Sequence, residues 1–242
     1  MFIHTYRQPV QHCLVAQKNN FKPDEKHGIH APAWKPIKER DILWKNTVWA
    51  DIDSRDRGNE VFGSTATSNS NSLINVLLDG IKTGKLVAYV GDHFGYNNTI
   101  TGDTIMNFLA PKAGTQRIID PGTGDIRTVS IPSEFNPAKI CKYRVREHWM
   151  LDENECKLTV RIIGIAPLAE VKNETDNSVT YQPMFWVYYP NAKDYLSTII
   201  APGATQENNP NWFDILENRN FSYDVVKISD RTYLNTKYAS SK

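Results

Sequence analysis

Residues 141–165 read CKYRVREHWMLDENECKLTVRIIGI, and the way this stretch folds decides the architecture. Two runs that alternate between apolar and polar side chains flank the polar DENE (152–155), the pattern of a β-hairpin. Folded symmetrically about that turn, Trp149 faces Leu158, Val145 faces Ile162 and Leu151 faces Cys156. One face is then apolar. The other collects Lys142, Arg144, Arg146, His148, Lys157 and Arg161, with Arg146 directly opposite Arg161. Like charges in direct opposition cost stability unless an anion or acidic group lies over them. The face therefore reads either as a solvated basic surface or as a docking surface for an acidic partner. The same register keeps Cys141 away from Cys156, so a disulfide closing the hairpin is not expected.

Upstream, residues 37–55 read IKERDILWKNTVWADIDSR. Wound at 3.6 residues per turn, Ile37, Ile42, Trp44, Val48, Trp49 and Ile52 share one face, and Pro36 suits the first turn of a helix. The reading is a helix from about Ile37 to Ile52. Asp41 and Lys45 fall inside its apolar face, four residues apart, where helical side chains meet. A charged pair amid tryptophans has two readings. It is a partner interface whose ion pair gives specificity, or a helix packed on the sheet with the pair at its rim.

Elsewhere the signals are shorter. Residues 1–36, with Pro23, Pro32 and Pro36, read as an extended arm. GSTATSNSNS (63–72) is a loop ending in good helix caps, and LINVLLDGIKTGK (73–85) has helical spacing with Gly84 at its stop. LVAYVGD (86–92) reads as a short strand, and residues 109–139 as a long surface loop with room for a small hairpin. MFWVYYP (184–190) reads as a strand buried on both faces and ended by Pro190. NAKDYLSTII (191–200) is a helix capped by Asn191, and residues 211–226 hold another helical turn or two and a last extended piece. Helices and antiparallel strands mix without βαβ rhythm, so the expected class is α+β, with helices packed on a mainly antiparallel sheet. The division is an arm (1–36), one α+β domain (37–231) and a polar tail (232–242).

Composition bounds the function. The 242 residues are 40% hydrophobic and 23% charged with a formal net charge of +1, which gives no general pull toward nucleic acid or anionic lipid. No apolar run approaches the ~20 residues of a membrane-spanning helix, so direct membrane insertion is not expected. The N-terminus shows no secretory signal, so a removed leader is the expectation if the chain is exported. Three cysteines, none in a CxxC spacing, build neither a disulfide framework nor a zinc site. GIKTGKL (80–86) is one residue short of a phosphate loop, and DIDSRD (51–56) lacks the ligands and glycine of a calcium loop. HGIH (27–30) lacks a third metal ligand nearby. No nucleophile elbow is present, and Cys13 with His12 lies in the arm. Asp92 and His93 are the remaining acid–base candidates, although neighbours on an extended chain point apart. No cofactor, metal or catalytic residue is expected.

Five blocks, taken in order, resemble the GldN/PorN family of the gliding-motility and type IX secretion machinery. They are RDILWKNTVWADIDSRDR (40–57), SLINVLLDGIKTGKLVAYVGDHF (72–94), YRVREHWMLDENECKLTVRIIGIAPLAEV (143–171), MFWVYYPNAKDYL (184–196) and WFDILENRNFSYDVVKISDR (212–231). The resemblance implies a structural, non-enzymatic ring component in the periplasm. Its implied partners are a GldK/PorK-type outer-membrane lipoprotein, other copies of itself and the GldM/PorM-type periplasmic shaft, and through the lipoprotein it would associate with the outer membrane. A ring subunit needs complementary lateral faces. The candidate partner-interface residues are Asp41, Trp44, Lys45, Val48, Trp49, Arg144, Arg146, His148 and Arg161. The alternative is a periplasmic enzyme or small-ligand binder using the Asp92–His93 loop.

Overall fold

A computed structural model describes residues 34–63, 71–109, 114–119, 126–131, 136–153, 155–173, 176–203, 209–229 and 233–234. In chain order the elements are a 3-10 turn (Glu39–Asp41), β1 (Ile42–Asp53), α1 (Leu73–Lys82), β2 (Ala88–Tyr89) and β3 (Thr99–Ile100). Then come α2 (Gly102–Leu109), β4 (Gly114–Ile119), β5 (Ile126–Ile131), β6 (Lys142–Asp152) and β7 (Lys157–Lys172). The last are β8 (Val179–Pro183), β9 (Trp186–Tyr188), α3 (Tyr189–Ser197), α4 (Trp212–Glu217), β10 (Asp224–Ile228) and β11 (Tyr233–Leu234). Among the described residues nine strands join one sheet in the order β10-β1-β6-β7-β9-β2-β3, with β11 also on β1 and β8 also on β7. Every pairing in it is antiparallel. The α+β expectation holds.

The helix expected over Ile37–Ile52 is instead the 3-10 turn followed by β1, the second strand of the sheet. Asn46, Val48, Ala50 and Ile52 are buried while Lys45, Thr47, Trp49 and Asp51 are half-exposed, a period of two. The apolar residues of this stretch satisfy either period. What selects the strand is its content of Ile, Trp, Thr and Val, which suit a pleated surface, and β6, which pairs along nearly all of it. With the helix goes the expected Asp41–Lys45 pair: Asp41 lies 3.6 Å from Arg40, and Lys45 sits on the strand between Met150 and Tyr233.

The 141–165 hairpin forms, in a different register. Its turn centres one residue later, with Asp152 paired to Lys157 and Cys156 inside the turn at φ 46°. Leu151 therefore faces Leu158, Trp149 faces Val160 and Val145 faces Ile165. A bulge between Arg146 and Glu147 sets Arg146 opposite Gly164, and Arg161 lies opposite His148. Partners move by an even number of residues before the bulge, so the faces survive.

The helices cover the inner face. Ala50 and Ile52 of β1, Tyr143 and Val145 of β6, and Ile162 and Ile165 of β7 meet Ile74, Leu77 and Ile81 of α1, Leu196 of α3 and Trp212 and Leu216 of α4 in one buried core. α1 starts and ends as expected, with Ser72 as its cap and Gly84 at φ 70° just beyond it. Pro190 does more than end a strand, since it stands in the first turn of α3, which Tyr188 rather than Asn191 precedes. α4 is held by a capping box between Asn211 and Asp214. The expected 86–92 strand is only β2, and the 109–139 stretch contains the β4–β5 hairpin.

Candidate interaction surfaces

The outer face of the sheet carries a row of directly paired residues across five strands: Lys227 on β10, Trp49 on β1, Arg146 on β6, Gly164 on β7 and Tyr188 on β9. The chain between β2 and β3 reaches this row with two side chains. Trp49 Nε1 donates to Asp92 Oδ2 at 2.8 Å, and Arg146 Nη1 donates to the Asp92 carbonyl. Two residues on, the Phe94 ring lies 4.9 Å from that of Tyr188 and 5.2 Å from that of Tyr89. It rests over Gly164, where a Cβ would stand 2.5 Å from Phe94 Cζ. Only glycine admits the ring there. Lys227 Nζ and the Arg146 guanidinium lie 4.8 and 5.8 Å from the Trp49 ring, within cation–π range.

Ion pairs flank the row. Arg144 donates to both oxygens of Asp51 at 2.6 and 2.8 Å, a bidentate fork. Asp53 holds Arg55 at 2.6 Å and Lys142 at 3.0 Å, and Arg55 first, then Lys142, keep its carboxyl well below the usual carboxylate range. The acidic groups that the basic hairpin face calls for are thus supplied by the chain itself, as Asp51, Asp53 and Asp92. His148 lacks such relief. Burial, then Lys45 and Arg146, push its imidazole down to about 4, so it is neutral at pH 7.

Of the residues singled out from the sequence, Lys45, Trp49, Arg144, Arg146 and His148 meet on this outer face. Trp44 is half-buried between Leu151 and Leu234. Val48, 2% exposed, belongs to the inner side. Asp41 stands at the entry to β1, its carbonyl accepting from Glu153 N. Arg161 pairs across from His148, but its guanidinium lies 5.2 Å from the Trp34 ring and donates to the Lys35 carbonyl.

Asp92 and His93, expected to point apart, do meet: His93 Nδ1 is 2.9 Å from Asp92 Oδ1 because the chain bends there instead of running extended. His93 is nevertheless 85% exposed, and the Asp92 carboxylate is already engaged by Trp49. His93 thus stands largely in water, while the mostly buried Asp92 carboxylate is shared between it and Trp49. Sequence reasoning missed Phe94 and Lys227. A glycine inside an otherwise β-branched strand, as Gly164 is, signals close approach by another group and was the clue to Phe94. It also missed Glu147, fully buried, which accepts from Trp149 Nε1 at 2.8 Å and from Arg219 Nη2.

Cys141 is a free thiol, so no bridge links it to Cys156. His27, His30 and Cys13 lie outside the described residues, as does most of the arm. Among the described residues no group of His, Cys, Asp or Glu is gathered to hold a metal ion, and no helix is long and apolar enough to cross a membrane.

The arrangement is that of an antiparallel α+β protein whose conspicuous surface is an interlocked band of aromatics and ion pairs. A family profile described as "Gliding motility associated protein GldN" matches residues 37–240. The chain belongs to the GldN family and is a gliding-motility component. Comparison with curated proteins returns no match.

Proposed function

We propose that this chain is a structural, non-enzymatic subunit of a periplasmic ring in the type IX secretion and gliding machinery. In this reading it assembles with copies of itself and with a GldK/PorK-type lipoprotein, which tethers it to the outer membrane, and the GldM/PorM-type shaft is a further partner. Membership of the GldN family across residues 37–240 carries the reading. The outer face supports it. Lys45, Trp49, Arg144, Arg146 and His148 form a broad, rigid surface of aromatic and paired charged groups, the composition that partner interfaces favour. An exposed His93 beside an Asp92 carboxylate already held by Trp49 gives an enzyme little to work with.

Negative-stain electron microscopy of the purified chain, alone and co-expressed with the lipoprotein, tests the reading. Closed rings dependent on the lipoprotein are expected. A monodisperse monomer that ignores the lipoprotein overturns it.

A further inference from the structure

The turn between β6 and β7 is where the chain leading into β1 is fastened. Lys35 pairs with Glu155, and Glu153 N donates to the Asp41 carbonyl at 2.8 Å, so residues 35–41 are held to the turn at both ends. Between these contacts Pro36, Lys38, Glu39 and Arg40 are exposed. Cys156 follows Glu155 directly, is itself exposed and stands at φ 46°. Glycine takes that conformation without steric cost and a residue with a Cβ does not. The position thus keeps a cysteine against its backbone preference.

Cys156 is half of a disulfide, and Cys141 is a free thiol. The chain has three cysteines, so the count leaves Cys13 as the partner. We infer that a Cys13–Cys156 disulfide straps the N-terminal arm to the tip of the hairpin. Reach is no obstacle. The 21 residues between Cys13 and Lys35 span up to about 70 Å when extended, and Lys35 is already at the turn. The strap closes residues 13–35 into a loop whose two ends meet on consecutive residues, Glu155 and Cys156. An arm that the sequence reads as an extended appendage is then a second connection across the turn.

Forming the bond is a two-electron oxidation, and the co-reactant is a disulfide carrier. The thiolate of one cysteine attacks the carrier's disulfide, and the second cysteine displaces the carrier from the mixed disulfide. The carrier's two sulfurs leave as thiols with both electrons and both protons. Such a bond persists in an oxidising compartment such as the bacterial periplasm and is rare where glutathione keeps thiols reduced. The pairing stands on Cys156 and the cysteine count, whereas its persistence in the cell rests on the periplasmic location proposed above.

The test uses the full chain from its native cells, denatured at lysis in excess N-ethylmaleimide and digested for mass spectrometry without reduction. One modified cysteine, Cys141, and a linked pair of peptides carrying Cys13 and Cys156 are expected. Cys141→Ser should keep the link, and Cys156→Ser should lose it and raise the count of modified cysteines to two, Cys13 and Cys141. Three modified cysteines in the native protein, with the Cys13–Cys156 link forming once oxidised glutathione is added to the folded chain, uphold the pairing and overturn the periplasmic location. Three modified cysteines even then, a Cys141–Cys156 link, or a Cys156 link between two copies overturn the pairing and leave the ring reading to electron microscopy.

Discussion

Gly164→Ala tests whether the Asp92–Phe94 segment is held on the outer face as described. A Cβ at this position would stand 2.5 Å from Phe94 Cζ and 3.1 Å from Trp186 Cε3, against 3.4–4 Å for ordinary contact. The phenyl ring must retreat by about 1 Å or leave, because Trp186 is buried in the sheet and cannot yield. Retreat weakens the pairings with Tyr89 and Tyr188, each worth ~0.5–1.5 kcal/mol. Against this, replacing glycine restricts the unfolded chain and contributes ~0.4–1 kcal/mol of stability. The balance is a loss of about 1–2 kcal/mol, or a fall in Tm of about 2–8 °C for a chain of this size. Equilibrium denaturation measures it, and the double-mutant cycle with Phe94→Ala isolates its cause. Once Phe94 is gone, Gly164→Ala should cost nothing or stabilise slightly. An equal cost in both backgrounds would refute the placement of the ring, and so would a Gly164→Ala protein as stable as the parent.

Three further outcomes follow from the same geometry. Glu147→Gln is expected to cost about 2–4 kcal/mol by urea denaturation, because it strips the charge from a fully buried carboxylate bound to Arg219 and Trp149; a change below ~0.5 kcal/mol would show that the network is hydrated. His148 has a folded pKa of about 4 against 6.5 unfolded, so below pH 6.5 the unfolded chain takes up a proton that the native site refuses, and stability falls from pH 6.5 toward pH 4. His148→Gln should flatten that part of the stability–pH curve measured by thermal unfolding, and an unaltered slope would refute the burial of this imidazole. Asp53 has a folded pKa depressed below its unfolded 3.8, so its contribution is complete above that value and is lost as the pH falls further; Asp53→Asn should remove the corresponding acid-side slope, and a parallel curve in the variant would count against the Arg55 and Lys142 pairing.

The hairpin and the helix over 73–82 were legible because each carries one period and clear punctuation: alternation around DENE in the first, and helical spacing closed by Gly84 in the second. The stretch 37–55 was not, since its apolar residues fit both 3.6 and 2 and its strand identity comes from β6, about a hundred residues away. The basic character of the outer face was equally plain, but not the acids that neutralise it. Asp51 and Asp53 lie on a strand misread as a helix, and Asp92 reaches Arg146 across 54 residues of sequence. The same limit hid Glu147, which sits at an apolar position of β6 and is explained only by Arg219, a residue with φ 54° brought in from the far end of α4.

Reading β1 as a strand also changes what the candidate residues can do for a partner. On a helix, Trp44, Val48 and Trp49 would share one stripe, and losing any of them would weaken the same contact. On the strand, Val48 and Trp49 point to opposite sides. Val48 is part of the protein's interior, so its truncation acts through folding. Trp49 stands in the outer row, joined to Asp92, Arg146 and Lys227, so its indole organises a surface that a second molecule can touch. The Asp41–Lys45 pair that first marked this stretch as unusual loses its meaning with the helix. The polar contacts that organise this face are instead the bidentate Asp51–Arg144 pair and the Asp92–Trp49–Arg146 junction. The first spans β1 and β6, the second ties the chain between β2 and β3 to the same two strands, and both are already satisfied within the chain. A surface of that kind gains little from attracting further charge. On the proposed reading it would offer a partner a preformed shape, which is the property a subunit needs if each copy is to meet its neighbour in the same way.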